Sequence, residues 1–206
     1  MIIEVVLVGH LEVNCYVLAA KEGLRAIIID PGGEDRKIKK VLDRHQLKPG
    51  IVVNTHGHID HIGCDDKFGA PVYIHTDDAA LLKDAGLNMS EFLNIPFTVN
   101  SKINTLQDKD KIELDGVELE VIHVPGHTPG GIALLLKAPK DKILFSGDSL
   151  FCRSIGRTDF PGADGGLLIQ GIKEKLFILP DDTVVYPGHG PSSTIGEEKR
   201  ENPFLA

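Results

Sequence analysis

Apolar residues in the first third of the chain gather in short runs: Ile2 to Val8, Asn14 to Ala20, and Leu24 to Ile29, the last stopped by Asp30-Pro31-Gly32-Gly33. Brief β-rich runs bounded by turn formers predict strands. The period then changes. In Glu34 to Leu47, Ile38, Val41 and Leu42 recur at helical spacing among charged residues, and Pro49-Gly50 is expected to end the helix. Ile51-Val52-Val53 reads as a short buried strand that runs directly into Asn54-Thr55-His56.

The second half repeats this grammar. Lys111 to Leu114 and Val117 to Val124 flank Asp115-Gly116, a hairpin dipeptide. Ile132 to Leu136, Ile143 to Phe145 and Thr183 to Tyr186 predict further strands, and Leu167 to Leu179 a helix. Strands in two batches, each relieved by helices, predict an α/β protein with two β layers and helices packed outside, a four-layer αββα sandwich. Periodicity alone leaves the layer order open. No tandem repeat, low-complexity tract or linker divides the chain, so one domain over residues 1–206 is expected.

Composition adds limits. With 206 residues, 42% hydrophobic and 25% charged, the chain is within globular norms and long enough to build its core without cross-links. Its net charge of −8, with neither sign in a block, argues against nucleic acid as a partner, because phosphate-backbone binding needs a basic face. The N-terminus carries Glu4 and no basic export segment, and no apolar run approaches the roughly 20 residues that cross a bilayer, so no membrane is expected either. Three cysteines, Cys15, Cys64 and Cys152, lack a CxxC spacing and point to a reducing, cytoplasmic location.

The chemistry concentrates in Thr55-His56-Gly57-His58-Ile59-Asp60-His61-Ile62-Gly63. Packing seldom requires three imidazoles and a carboxylate within six residues, whereas a metal explains them, and the donors suit zinc, iron or manganese. Six residues cannot wrap a metal site, so further ligands must come from elsewhere. The candidates follow apolar runs: His127 in Pro125-Gly126-His127-Thr128-Pro129-Gly130, Asp148 in Ser146-Gly147-Asp148, and His189 in Pro187-Gly188-His189-Gly190. Each alone could be a turn residue bonded to backbone; a metal that needs partners makes the set more telling.

Together these pieces resemble the metallo-β-lactamase superfamily, in particular the glyoxalase II-like hydrolases. The resemblance runs from Asp30 to Phe204 and includes the HxHxDH run, the PGHTPG turn, Ser146-Gly147-Asp148 with Ile155-Gly156-Arg157-Thr158-Asp159-Phe160, Pro187-Gly188-His189-Gly190-Pro191, Thr194 to Glu198, and Asn202-Pro203-Phe204. It implies two divalent metal ions, zinc first and iron or manganese as alternatives. One would be held by His56, His58 and His127, a second by Asp60, His61 and His189, with Asp148 bridging. In the family a hydroxide lies between the metals, consistent with the way paired ions acidify water and polarise a carbonyl. Asp60 would orient its attack, and Asp30 would fix the ring of a ligand histidine. Arg157 and Asp159 are read as an ion pair bracing their loop, and Cys152 as a packed thiol near the cleft. His10, His45, His75 and His123 are read as structural, and Thr194 with Glu197 as a capping box.

The resemblance also implies the reaction: hydrolysis of a small-molecule acyl thioester such as a hydroxyacylglutathione. In one respect the chain departs from the fuller glyoxalase II enzymes, which carry an added C-terminal helical region; it ends 17 residues after His189. The GRTDF segment also resembles persulfide dioxygenases, where one iron would be held by His56, His127 and Asp148 alone. A phosphodiesterase on the same fold is the third reading, disfavoured by the acidic balance.

Overall fold

The computed structural model describes residues 1–137 and 142–205. Strands β1 (Ile2–Val8), β2 (Val13–Ala19), β3 (Arg25–Ile29), β4 (Lys48–Val53), β5 (Val72–His75) and β6 (Ile103–Leu106) form one sheet in that order. The second contains β7 (Lys111–Leu114), β8 (Val117–His123), β9 (Ile132–Lys137), β10 (Lys142–Gly147), β13 (Val184–Pro187) and β14 (Ser193–Thr194), in the order β14-β13-β10-β9-β8-β7. Two short strands, β11 (Leu150–Phe151) and β12 (Ser154–Ile155), pair separately.

Three apolar clusters define the layers. The inner one joins Leu18, Ile27, Ile29 and Val53 of the first sheet to Leu119, Val121, Leu134 and Phe145 of the second. Because side chains alternate along a strand, the opposite faces remain to be covered. On the first sheet, Val17, Ile28 and Val52 pack under Ile38, Val41 and Leu42 of α1 (Asp35–Arg44). On the second, Ala133, Leu144 and Val185 pack under Leu168 of α3 (Gly165–Gly171), Leu176 of the π-helical turn Ile172–Leu176, and Ile195 of α4 (Ile195–Glu201). The expected αββα sandwich is therefore present. Among the described residues no helix is long and apolar enough to cross a membrane.

Two local expectations change. Pro49-Gly50 does not lie between a helix and a strand; both belong to β4, paired with the start of β3 where the register shifts at Ala26/Ile27. A proline has no N–H for the ladder and is tolerated beside such an irregularity. The segment expected to be helical over 167–179 begins at Gly165, with Asp164 accepting from the Gly166 and Leu167 amides, and loosens into the π turn. The hairpin at Asp115-Gly116 forms, and the Thr194/Glu197 capping box starts α4.

Strands β3, β4, β5 and β6 are mutually parallel, whereas β8, β10 and β13 run alike through antiparallel β9 and the direct parallel β10–β13 pairing. Every candidate chemical residue follows the carboxyl end of one of these strands, the usual place for sites in α/β sheets.

Candidate metal centre

After β4 the chain turns through His56-Gly57-His58 into α2 (Ile59–Ile62), one turn of helix that carries Asp60 and His61. This turn packs against the loop after β3. Pro31 O accepts from the Cys64 amide at 2.8 Å, and a Cβ on Gly32 would stand 1.3 Å from Asp60 O, so only glycine allows the approach. The contact places Asp30, buried at φ 51°, beneath the cluster. Its Oδ1 accepts from the Thr55 amide at 2.7 Å, and its Oδ2 from Thr55 Oγ1 at 2.7 Å and His61 Nδ1 at 3.0 Å. The left-handed backbone at Asp30 costs on the order of 1–3 kcal/mol, held by these bonds. This is the orienting role expected of Asp30.

Hydrogen bonds set the imidazoles in a common sense. His61 Nδ1 faces Asp30, His127 Nδ1 faces Arg157 O at 2.8 Å, and His189 Nδ1 faces Leu11 O at 2.9 Å. Thr55 Oγ1, its proton given to Asp30, is left to accept from His56 Nδ1 at 3.2 Å. Acceptors on Nδ1 hold a proton there and leave Nε2 the lone pair of the neutral ring. All four Nε2 atoms turn inward. His61 Nε2 lies 3.4 Å from Asp148 Oδ1 and 3.8 Å from Asp60 Oδ2; His189 Nε2 lies 3.4 Å from Asp60 Oδ2 and 3.7 Å from Asp148 Oδ2; His127 Nε2 lies 3.6 Å from Asp148 Oδ2. His58 joins through Nδ1, 3.0 Å from His127 Nε2.

The seven sequence candidates thus converge from both sheets. Their donor atoms form three overlapping groups: His56, His58 and His127; Asp60, His61 and His189; and His56, His61 and Asp148. Three inward atoms, His56 Nε2, His61 Nε2 and Asp148 Oδ1, are buried with no hydrogen-bond partner. Unpaired buried polar atoms are costly, and cations among them would remove the cost. A Cβ on Gly188 would stand 2.1 Å from Asp148 Oδ1 and 2.9 Å from His61 Cε1, so glycine keeps that space open. The donor set fits divalent metal ions.

The electrostatics agree. Burial opposes a charge on His61, but the carboxylates of Asp148, Asp60 and Asp30 overcome it and hold the ring up at about 10. Burial likewise opposes ionisation of Asp60, yet His61 and His189 keep its carboxyl well below the usual range. On the other side, burial and His127 depress His58 to about 3, and burial also depresses His56. His61 and His189 thus favour positive charge, whereas His56 and His58 favour the neutral imidazole.

A family model for the metallo-beta-lactamase superfamily matches residues 8–189. The chain belongs to that superfamily. As a member it is of metal-dependent hydrolase stock, and the His/Asp clusters stand where two sheets of the lactamase fold meet. Among its relatives, hydroxyacylglutathione hydrolase GloC of Haemophilus influenzae is 36% identical, covering 100% of this chain and 98% of its own. Among solved structures, the BLEG-1 B3 metallo-beta-lactamase is 38% identical with TM-score 0.91 and full coverage of both chains. TTHA1623, solved in a di-iron-bound form, is 35% identical with TM-score 0.83, covering 98% of this chain and 100% of its own. At least one relative of this fold thus accommodates iron.

Outside the cluster, Arg157 and Asp159 form the expected two-bond ion pair, at 2.8 and 2.7 Å, on the surface. The Arg157 guanidinium also covers the Phe160 ring at 4.2 Å, and Phe160 packs in T-shaped fashion against His58 and His127. Cys152 is half-buried and belongs to none of the metal groups found among the described residues. His45 at the end of α1 has its ring between Glu4 and Glu22, consistent with a structural reading.

Sequence reasoning missed Asp78. Fully buried after β5, its Oδ2 accepts from the Gly57 amide at 3.0 Å and Thr128 Oγ1 at 2.8 Å, and its Oδ1 from the Gly130 amide at 2.7 Å. Gly57 separates two candidate ligands, while Thr128 and Gly130 follow a third. One carboxylate therefore ties the loops of the two sheets together. Burial pushes its carboxyl up, against these bonds. In the sequence it is one acidic residue among many, with no motif to mark it.

Proposed function

We propose that the chain hydrolyses a small acyl thioester, of the hydroxyacylglutathione type, at a two-metal centre. The observation that carries the proposal is the convergence of all seven donors, with four imidazole Nδ1 atoms bonded outward and their Nε2 atoms turned inward. His56, His58 and His127 would hold one ion, Asp60, His61 and His189 the other, and Asp148 faces both groups. A bound pair of divalent ions would supply Lewis acidity, bringing water toward neutral pKa and polarising the carbonyl.

The chain's own groups then order the reaction. Asp60, held ionised by its histidine neighbours, accepts a hydrogen bond from the attacking water and aims it; a carboxylate so far below its usual range is a weak base, so its part is orientation. Phe160, under the Arg157 guanidinium, packs against the His58 and His127 rings and offers an apolar wall to a bound substrate. Leu87, Phe92, Leu93 and Ile95 expose apolar surface on a loop joined to the centre through Ile59 N to Asn88 O at 2.9 Å, which suits an acyl group better than a phosphate. The similarity to GloC over the full chain supports a thioester. Zinc is the first choice of metal, with iron or manganese compatible with the same donors.

The similarity to BLEG-1 favours a second substrate class, a β-lactam, whose amide carbonyl offers the same target. A panel of acyl thioesters, β-lactams, glutathione persulfide and phosphodiesters, run on as-purified, chelator-stripped and zinc-reloaded protein with elemental analysis, separates the readings. Thioester turnover that falls with the metals and returns with zinc is expected. Turnover of the lactam alone, or oxygen uptake with persulfide at a single iron, would overturn the proposal.

A further inference from the structure

Two histidines left without a role meet across the two sheets. His75 ends β5 and His123 ends β8, and their rings stack at 3.9 Å with 14° between planes. Asp77 lies beside them, its Oδ2 3.6 Å from His75 Nδ1, and one donor atom from each of the three falls within 4.8 Å of the others. None of the three belongs to the metal centre described above.

Neighbouring backbone groups fix the tautomers. Pro129 O, which can only accept, takes the His123 Nε2 proton at 2.9 Å and leaves Nδ1 a lone pair in the neutral ring. The Asp77 amide, which can only donate, faces His75 Nδ1 at 3.3 Å, so that atom is also a lone pair. A bond of that length is weak. Two imidazole bases and a carboxylate thus share one corner. His75 is buried, and its burial and the facing His123 disfavour a proton there, although Asp77, Asp108 and Asp110 surround it with negative charge. Two imidazole rings stacked beside the Asp77 carboxylate, with Asp77 open to solvent as the way in, are suited to a divalent cation.

We infer that His75 Nδ1, His123 Nδ1 and a carboxylate oxygen of Asp77 form a further binding site for a divalent transition ion of the zinc class. Rotation of the His75 ring about χ2, held only by the weak Asp77 amide bond, turns its lone pair to meet that of His123 on one ion, a soft motion for an imidazole. Three protein donors with a remaining position open to water is a common zinc arrangement, and late first-row ions bind such N/O sets in preference to magnesium or calcium. Such an ion would pin the end of β5 to the end of β8. It would also brace the loop of His127 through the His123–Pro129 bond, and it sits one residue from Asp78.

The test is zinc stoichiometry. Chelator-stripped protein is dialysed to equilibrium against buffered zinc and its metal measured for the wild type, Asp77→Asn and His123→Gln. Asp77 is exposed, so Asp77→Asn retains the fold. The wild type should hold one more zinc ion per chain than either variant at zinc levels that fill the main centre. Since even outer partners of a ligand are worth 10–100-fold in affinity, losing Asp77 should weaken the extra ion at least about tenfold. Zinc-loaded crystals of the wild type should show anomalous density among His75, Asp77 and His123. Equal zinc content in wild type and Asp77→Asn, or no anomalous peak there in zinc-saturated crystals, overturns the inference.

Discussion

The two sheets equip the centre in opposite ways. The first delivers His56, His58, Asp60 and His61 on one tight turn after β4, held from below by Asp30 and from the side by Asn54, whose amide bonds Asp65 at 3.1 Å. The second delivers single residues: His127 after β8, Asp148 after β10 and His189 after β13. The first group is a local structure that carries its own bracing. The second exists only when three strands hold register, including the shift between Phe145 and Gly147 and the Gly188 N to Gly147 O bond at 2.9 Å. Damage to a single second-sheet residue should therefore cost more than its share of the donor count suggests.

Asp148 is the sharpest way to test that asymmetry, because its carboxylate lies within 4 Å of imidazoles of both outer groups. Asp148→Ala should abolish turnover and lower the content of both metals; His127→Ala should do the same with a smaller effect on the second metal. The loss in metal affinity should be at least about a hundredfold, the upper figure for removing even an outer partner of a ligand. Elemental analysis beside kcat checks it, and full activity with unchanged metal would contradict the assigned roles.

Asp78 comes next, since it binds one group to the other. Asp78→Ala leaves the Gly57 and Gly130 amides and the Thr128 hydroxyl unpaired in the interior, at about 1–3 kcal/mol for each donor left without a partner. Metal affinity should drop by roughly 10–100-fold. Asp78→Asn keeps one acceptor and should recover part of both losses. Denaturation midpoint and zinc affinity for the pair give the result; variants that differ from wild type in stability only, with zinc affinity intact, would confine Asp78 to a folding role.

How much of this could be read from the sequence follows the same division. The first-sheet group was legible because its donors are adjacent. The second-sheet residues were legible only as a set, through turns after apolar runs, since nothing local distinguishes His127 from a turn histidine. The four-layer architecture followed from two batches of strands, but the place of Pro49-Gly50 did not, because a register irregularity depends on the neighbouring strand. Asp78 and Phe160 stayed hidden for a related reason: what they do lies in contacts 50 and more residues apart for one, and in ring geometry for the other.

A pH experiment separates the halves further. In chelator-stripped protein, burial disfavours charged His61, but Asp148, Asp60 and Asp30 raise it to about 10, against an unfolded value near 6.5. A group raised on folding stabilises fully below its unfolded pKa and loses that contribution as pH climbs through the folded one. Stripped protein should therefore lose stability between about pH 6.5 and 10, and zinc uptake in that window should release a proton from His61. His58 across the centre, depressed to about 3, is already neutral there and should release none. Denaturation of stripped protein across pH, with proton release measured in two buffers of different ionisation enthalpy, checks both signs.

The smallest expected effect belongs to Cys152, four residues beyond Asp148 on the second-sheet side. Its thiol is half-buried, belongs to no donor group found among the described residues, and lies 3.8 Å from the Arg153 guanidinium, which itself bonds Glu201 of α4. A centre already furnished with seven nitrogen and oxygen donors has no need of a softer ligand. Cys152→Ser exchanges one small side chain for another at a surface-accessible site, where substitutions usually move stability by less than about 0.5 kcal/mol. Turnover and metal content should stay within about twofold of wild type, a change of less than about 0.5 kcal/mol. Loss of turnover in a folded, metal-loaded Cys152→Ser protein would mean that the second sheet supplies a fourth chemical group, and that its contribution is not confined to the ends of β8, β10 and β13.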